Sequence, residues 1–154
     1  MSTGYYISVW LHIVGAAFWI GGMLFLPLVL LPGIKNSPDR RTLLMATGLK
    51  FRFYGYIVMG MMLITGLLNI YLRGISFSLN FFIMSRYGQL VIYKIFLFIL
   101  MVMISLLHDL FVGRKALQKM ENHQIKMIAT WSGRLLLLIA LAMAFLGVVI
   151  SRGG

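Results

Sequence analysis

The sequence predicts an all-α integral membrane fold, a four-transmembrane-helix antiparallel bundle. Of its 154 residues, 61% are hydrophobic and only 11% are charged, where a typical soluble domain is about half apolar and about a quarter charged. A core of this length cannot hide so much apolar surface from water, so lipid must be the solvent for most of it. The apolar residues also gather into four stretches, each supplying the ~20 helical residues that cross a ~30 Å hydrocarbon core. None has the period-2 alternation of a membrane barrel strand.

The first stretch runs approximately Tyr6–Leu31. No Lys or Arg precedes it, and it is about twice as long as the apolar region of a signal peptide, so it is expected to stay as a helix. "PGIKNSPDRRT" (32–42) follows, with the Pro, Gly, Asn and Asp that end helices. The second stretch is approximately Phe53–Leu72, and "RGISFSLNFFIMSR" (73–86) is an amphipathic connector suited to the membrane surface. The third is Tyr87–Val112, then comes the charged connector "GRKALQKMENHQ" (113–124), and the fourth is Met127–Ile150. Without a repeat, a low-complexity tract or a long linker, residues 1–154 read as a single membrane domain.

A net charge of +11 would suggest a nucleic-acid partner in a soluble protein. Here the basic residues sit at the ends of apolar stretches, so no nucleic-acid partner is expected and the lipid bilayer is. Nine of them, Lys35, Arg40, Arg41, Lys50, Arg52, Arg114, Lys115, Lys119 and Lys126, fall on one side, against Arg73, Arg86 and Arg152 on the other. That asymmetry predicts both termini on the non-cytoplasmic side of a bacterial or archaeal inner membrane. The absence of cysteine excludes disulfides, thiolate metal sites and iron–sulfur ligation by this chain.

Interior faces in lipid collect small and polar residues, because lipid tails accommodate Leu equally well outside. On the second span Arg52, Gly55, Met59, Met62, Gly66, Asn69 and Arg73 follow such a stripe; on the third, Lys94, Met101, Ser105 and His108 do. On the first, His12, Gly15, Ala16, Trp19 and Gly22 share a face. At ~1.5 Å rise per residue, His12 and Lys94 are expected at a similar depth, ~9 Å below the outer surface, with His108 ~20 Å deeper. An outer polar cluster around His12 and Lys94 and an inner one around His108, Asp109, Arg134 and Arg52 follow.

Ionisable residues inside a membrane are costly and functional by default. His12 is the first candidate, since the small residues a turn or two on would admit a flat ligand such as haem b, with Gly15 beneath it and Trp19 as its wall. A neutral imidazole on iron inside a helix bundle is a known arrangement. Met62, Met143 and Lys94 are candidates for a sixth ligand; Lys94 and Arg73 are alternatively partners for propionates. Asp109 and Arg134 are expected to form a buried ion pair, with His108 beside them as a proton shuttle or a second metal ligand. His123, in the charged connector, reads as solvated.

The twelve methionines raise a copper alternative, thioether being a soft ligand for Cu(I). Runs such as "MGMM" (59–62) and "MVM" (101–103) weaken it, because residues two apart do not share a helix face. Asp39, Asp109 and Glu121 are the only acidic side chains, and no phosphate loop, zinc helix or nucleophile elbow occurs. Any catalysis would have to be borne by a cofactor.

"LHIVGAAFWIGGMLF" (11–25), with His, then Trp seven residues on, then Gly, resembles the first helix of the CopD-like membrane proteins. "FRFYGYIVMGMMLITGLLNIY" (51–71) and "YGQLVIYKIFLFILMVMISLLHD" (87–109) resemble the remainder of that pattern through a Phe-rich entry, a Thr-Gly, and a Tyr-Gly with a following Lys. The first-helix motif and that Lys are also similar to HemJ-type haem-binding membrane proteins. The resemblance implies haem b on His12, and less directly on Lys94, with copper as the alternative cargo. With a haem in place, the leading expectation is electron transfer or a cofactor-borne redox step near the outer face, with a quinone or a redox protein as partner. A third expectation is a structural subunit of a larger respiratory complex, or a homo-oligomer.

Overall fold

A computed structural model of the chain describes residues 2–75, 78–110 and 123–153, the side chains of 123–126 excepted. The charged connector around Arg114, Lys115, Lys119 and Glu121, with the side chains of His123 and Lys126, lies outside the described residues, as do the last residues of the third predicted span. Among the described residues the elements are all helical. They are α1 (Thr3–Phe25), a π-helical turn (Leu26–Leu30), α2 (Leu31–Gly33), α3 (Arg40–Leu72), α4 (Leu79–Met84), α5 (Arg86–His108) and α6 (His123–Ser151). Among the described residues four helical segments are long and apolar enough to cross a membrane: Thr3–Gly33, Arg40–Leu72, Arg86–His108 and Met127–Ser151. The chain is a multi-pass, all-α membrane protein.

Two local departures have clear causes. The predicted start of the second span, Phe53, lies well inside α3, which begins at Arg40. "RRTLLMATGLKF" is too charged for the hydrocarbon, yet its Arg, Leu, Met, Ala and Lys are good helix formers. At 33 residues α3 is ~50 Å long and overhangs a ~30 Å core. In the first span, Pro27 brings no N–H to the ladder, and hydrogen bonding slips to the wider spacing, Leu31 N–H reaching Leu26 O.

The contacts gather into two compact units, Met1–Ser76 and Phe77–Gly154. In the first, α1 packs along α3. The pairs Ser8 with Thr65, Gly15 with Met62, Trp19 with Gly55 and Gly22 with Phe51 run in opposite directions along the two helices, so they are antiparallel. Its buried residues are Ser8, Gly15 and Trp19 from α1 and Gly55, Met59, Met62 and Thr65 from α3. The small-residue stripes predicted on both helices therefore meet each other.

In the second unit α5 packs on α4 and α6. Ser78 caps α4 by accepting from Phe81 N–H at 3.2 Å, and Ser85 caps α5 by accepting from Gly88 N–H at 3.0 Å while donating to Phe81 O at 2.6 Å. Gly88 fits this corner only because it lacks a side chain, since a Cβ there would lie 2.5 Å from Phe82 Cα and 2.6 Å from Phe81 O. The interior of the unit is built from Val91, Met101 and Ser105 on α5 and Leu136, Ile139, Ala140 and Met143 on α6. Large apolar side chains elsewhere on the four spans face outward, as a lipid solvent requires.

Candidate functional site

The first unit holds the most connected polar group within the spans. His12 Nδ1 lies 2.9 Å from Thr65 Oγ1, and Thr65 Oγ1 lies 2.8 Å from Met61 O and 3.3 Å from Met62 O. A hydroxyl has one proton to give. Directed to the Met61 carbonyl, one turn back in its own helix, it leaves the Thr65 oxygen to accept from His12 Nδ1–H. This assignment, made from the hydrogen-bond network, puts the imidazole lone pair on Nε2. Ser8, one turn before His12, donates to the Thr65 carbonyl at 3.2 Å. One threonine thus receives two side chains of the neighbouring helix. A ring of this tautomer, held at Nδ1, is the form in which histidine usually binds a metal through Nε2.

Gly66 explains why the ring fits. A Cβ there would already sit 3.4 Å from His12 Cε1, so the imidazole lies close over the α3 backbone. Asn69, one turn nearer the end of α3, has an Oδ1 shut off from solvent without a hydrogen-bond partner among the described residues. Thr65 and Ser8 were missed in the sequence, although both show there: Thr65 falls between Met62 and Asn69 at 3-4 spacing, and Ser8 stands four residues before His12.

The predicted flat-ligand face is occupied by the protein itself. A Cβ on Gly15 would meet Met62 Cγ at 2.7 Å and Met61 Cε at 3.0 Å. Trp19 is 6% exposed; its ring lies against Gly55 and 5.9 Å from the Phe51 centroid. Gly15 and Trp19 hold α1 against α3 and leave no slot for a macrocycle between them. The small residues admit a partner helix in place of a flat ligand. For haem, the donor chemistry at His12 fits and the expected wall does not.

Lys94 and Met143 belong to the second unit. Lys94 Nζ lies 3.1 Å from the place a Cβ on Gly147 would take, so its stem crosses α6 where a side chain is lacking. Met143 is buried one turn away from Gly147 on the same helix. Met62 is buried in the first unit, over Gly15. Arg73 ends α3, its N–H bonded to Asn69 O at 3.3 Å while Gly74 N–H bonds to Tyr71 O at 3.0 Å. His12 and Arg73 thus lie in the first unit and Lys94 in the second.

At the other end of α5, His108 Nδ1 is 4.0 Å from Asp109 Oδ1, with both side chains partly exposed. Arg134, expected to be buried against Asp109, is exposed, and its guanidinium carbon lies 5.2 Å over the Trp131 ring. The expectation failed because pairing two residues on different helices requires the helix register, which spacing along one helix does not supply. Among the described residues no group of three or more His, Cys, Asp or Glu side chains is placed to hold a metal ion.

No protein-family profile matches the chain, and no solved structure matches it. A protein of Aquifex aeolicus (strain VF5), described as "Uncharacterized protein", is 38% identical over 149 residues, which span 96% of this chain and 95% of that one. Similarity at this level over nearly the full length of both makes this chain a member of that protein's family.

Proposed function

We propose that this chain is a small haem-b-binding membrane protein of the CopD-like type, serving electron transfer or a cofactor-borne redox step near the outer face. The observation that carries the reading is the His12–Thr65 bond, which orients the imidazole and leaves its lone pair on Nε2. Such a fixed ring is what an axial ligand to iron needs. A bound haem would supply a one-electron couple, tuned by the ligand's hydrogen bond and the apolar surroundings. His12 would hold the iron, Thr65 would orient His12, and Arg73, at the end of α3 in the same unit, is the basic group suited to a propionate. In this reading Gly15 and Trp19, which lie against α3, serve helix packing and not ligand contact. The distribution of Lys and Arg supports an inner-membrane location with both termini on the non-cytoplasmic side, and a quinone or a redox protein as electron partner.

One observation favours a second reading, copper transport. Met61 and Met62 both converge on Gly15, one turn from His12, bringing thioethers near an imidazole as Cu(I) sites require. The visible spectrum of the purified protein with and without dithionite separates the two. The haem reading expects a Soret band that moves on reduction and is lost in His12→Ala. A colourless protein that binds one Cu(I), with loss in both His12→Ala and Met62→Leu, would establish copper instead. Colourless, metal-free protein that copurifies with other membrane subunits would leave His12 as a helix-to-helix hydrogen bond.

A further inference from the structure

The fourth membrane segment, Met127–Ser151, carries an arginine on its exposed side. Leu136, Ile139, Ala140 and Met143 form the buried face of α6, whereas Ile128, Trp131, Leu135, Leu138, Phe145 and Val148 are its exposed apolar face. Arg134 is exposed beside Leu135 and Leu138. It lies seven residues after Met127, ~10 Å along the axis from the start of the apolar segment. Charged side chains at such depth almost always pair with an opposite charge or reach for the interface. Arg134 has no ion-pair partner among the described residues; its contact is the Trp131 ring at 5.2 Å.

That contact has a direction. Trp131 precedes Arg134 by three residues, so the guanidinium runs back one turn toward the N-terminal end of α6. This is the way side chains lean on a helix and the way an arginine snorkels to a membrane surface. Trp131 itself is ~6 Å from the start of the apolar segment, the depth at which tryptophans gather below headgroups. The indole covers one face of the guanidinium through a cation–π contact and leaves its N–H edge for an acceptor. Ser132, on the same turn, directs its hydroxyl to Ile128 O and Ala129 O at 2.7 and 3.1 Å, and among the described residues Arg134 makes no hydrogen bond to it. The chain has 14 Lys and Arg against 3 Asp and Glu, so most of its cations must find counter-charge outside it.

We propose that Arg134 and Trp131 form a binding site for the phosphate headgroup of an anionic phospholipid, in the leaflet at the N-terminal end of α6. The guanidinium edge takes the phosphate oxygens as paired donors, Trp131 holds it at headgroup depth, and the exposed face of Leu135 and Leu138 lies along the acyl chains. The site is independent of what His12 binds.

Native mass spectrometry of the detergent-purified chain, titrated with phosphatidylglycerol and with phosphatidylcholine, tests it. The wild type should retain phosphatidylglycerol at least about fivefold better than phosphatidylcholine, as expected for one arginine near an anionic surface. Arg134→Gln should remove that preference, and Trp131→Leu should weaken it while Trp131→Phe keeps it. Arg152→Gln, at the opposite end of α6, should leave it intact. Both Arg134 and Trp131 are exposed, so the variants should keep the wild-type circular dichroism. Equal retention of the two lipids, or a preference that survives Arg134→Gln, overturns the proposal. So does displacement of the lipid by millimolar inorganic phosphate, which identifies a free-anion site. A change of oligomeric state in Arg134→Gln without loss of lipid likewise overturns it, by showing a protein partner on Arg134.

Discussion

The two helix units solve the same problem in different ways. Two helices in lipid gain nothing from hiding apolar surface, so they associate through close fit and hydrogen bonds. Met1–Ser76 uses both. Gly15, Gly22 and Gly55 let Met62, Phe51 and Trp19 approach the opposing backbone, and Ser8 and His12 bond across to Thr65. Phe77–Gly154 has fewer such devices. Among the described residues its α5–α6 interior is mainly Met and aliphatic side chains, Ser105 Oγ is buried without a hydrogen-bond partner, and the one close glycine between these helices, Gly147, faces the tip of a lysine. The first unit is therefore specified by rigid, directional contacts, and the α5–α6 pair by adaptable ones. Adaptable contacts forgive substitution.

That contrast can be broken most severely at glycines whose neighbours cannot move. Gly88→Ala drives a methyl into the backbone of Phe81 and Phe82, and Gly55→Ala drives one to 2.7 Å from the Trp19 ring. The expected loss is about 3 kcal/mol for Gly88→Ala and about 1–2 kcal/mol for Gly55→Ala, read from SDS-induced unfolding in mixed micelles. Equal, negligible effects would show that both corners relax freely.

A smaller loss is expected at the hydrogen-bond node. Thr65→Val removes the acceptor for His12 and keeps the volume, so the first unit should lose about 0.6–2 kcal/mol. Nitrogen-15 shifts of the His12 ring should then show the Nδ1–H tautomer only in the wild type and in Thr65→Ser. A ring that keeps its tautomer in Thr65→Val would remove Thr65 from its orienting role.

The smallest effects are expected in the α5–α6 pair. Gly147→Ala places a methyl near Lys94 Nζ, the mobile end of a long chain, and Ser105→Ala deletes a buried hydroxyl that has no hydrogen-bond partner among the described residues. Each should change stability by less than about 0.5 kcal/mol, with Ser105→Ala neutral to stabilising. A loss at Ser105→Ala as large as that at Thr65→Val would mean that the two units are held alike.

The four spans were legible because apolar length is a one-dimensional property, written directly along the chain. The inward faces of α1 and α3 were legible for a similar reason, since Gly55, Met59 and Met62 repeat at helical spacing. What Gly15 and Trp19 do was not legible. A small residue beside an indole makes room, and the same room serves a macrocycle or a neighbouring helix; only the register of α1 on α3 decides. Register also decided Arg134, which had a plausible acidic partner by depth and the wrong azimuth. The start of α3 escaped hydropathy because Arg40–Arg52 is helical without being greasy. Thr65 was visible as a polar residue on the stripe, but its role needed two atoms of different helices brought to 2.9 Å.

Gly22 and Phe51 describe one trait written at two positions. The ring of Phe51 lies where a side chain on residue 22 would begin, and it also stacks on Phe18 at 5.8 Å. A larger residue at 22 is tolerable only with a smaller one at 51, and a smaller one at 51 opens a hole beside Phe18 and Trp19. Neither position can drift alone, so among descendants of this sequence the two should change together, leaving a paired signature of the α1–α3 register that can be read without any structure.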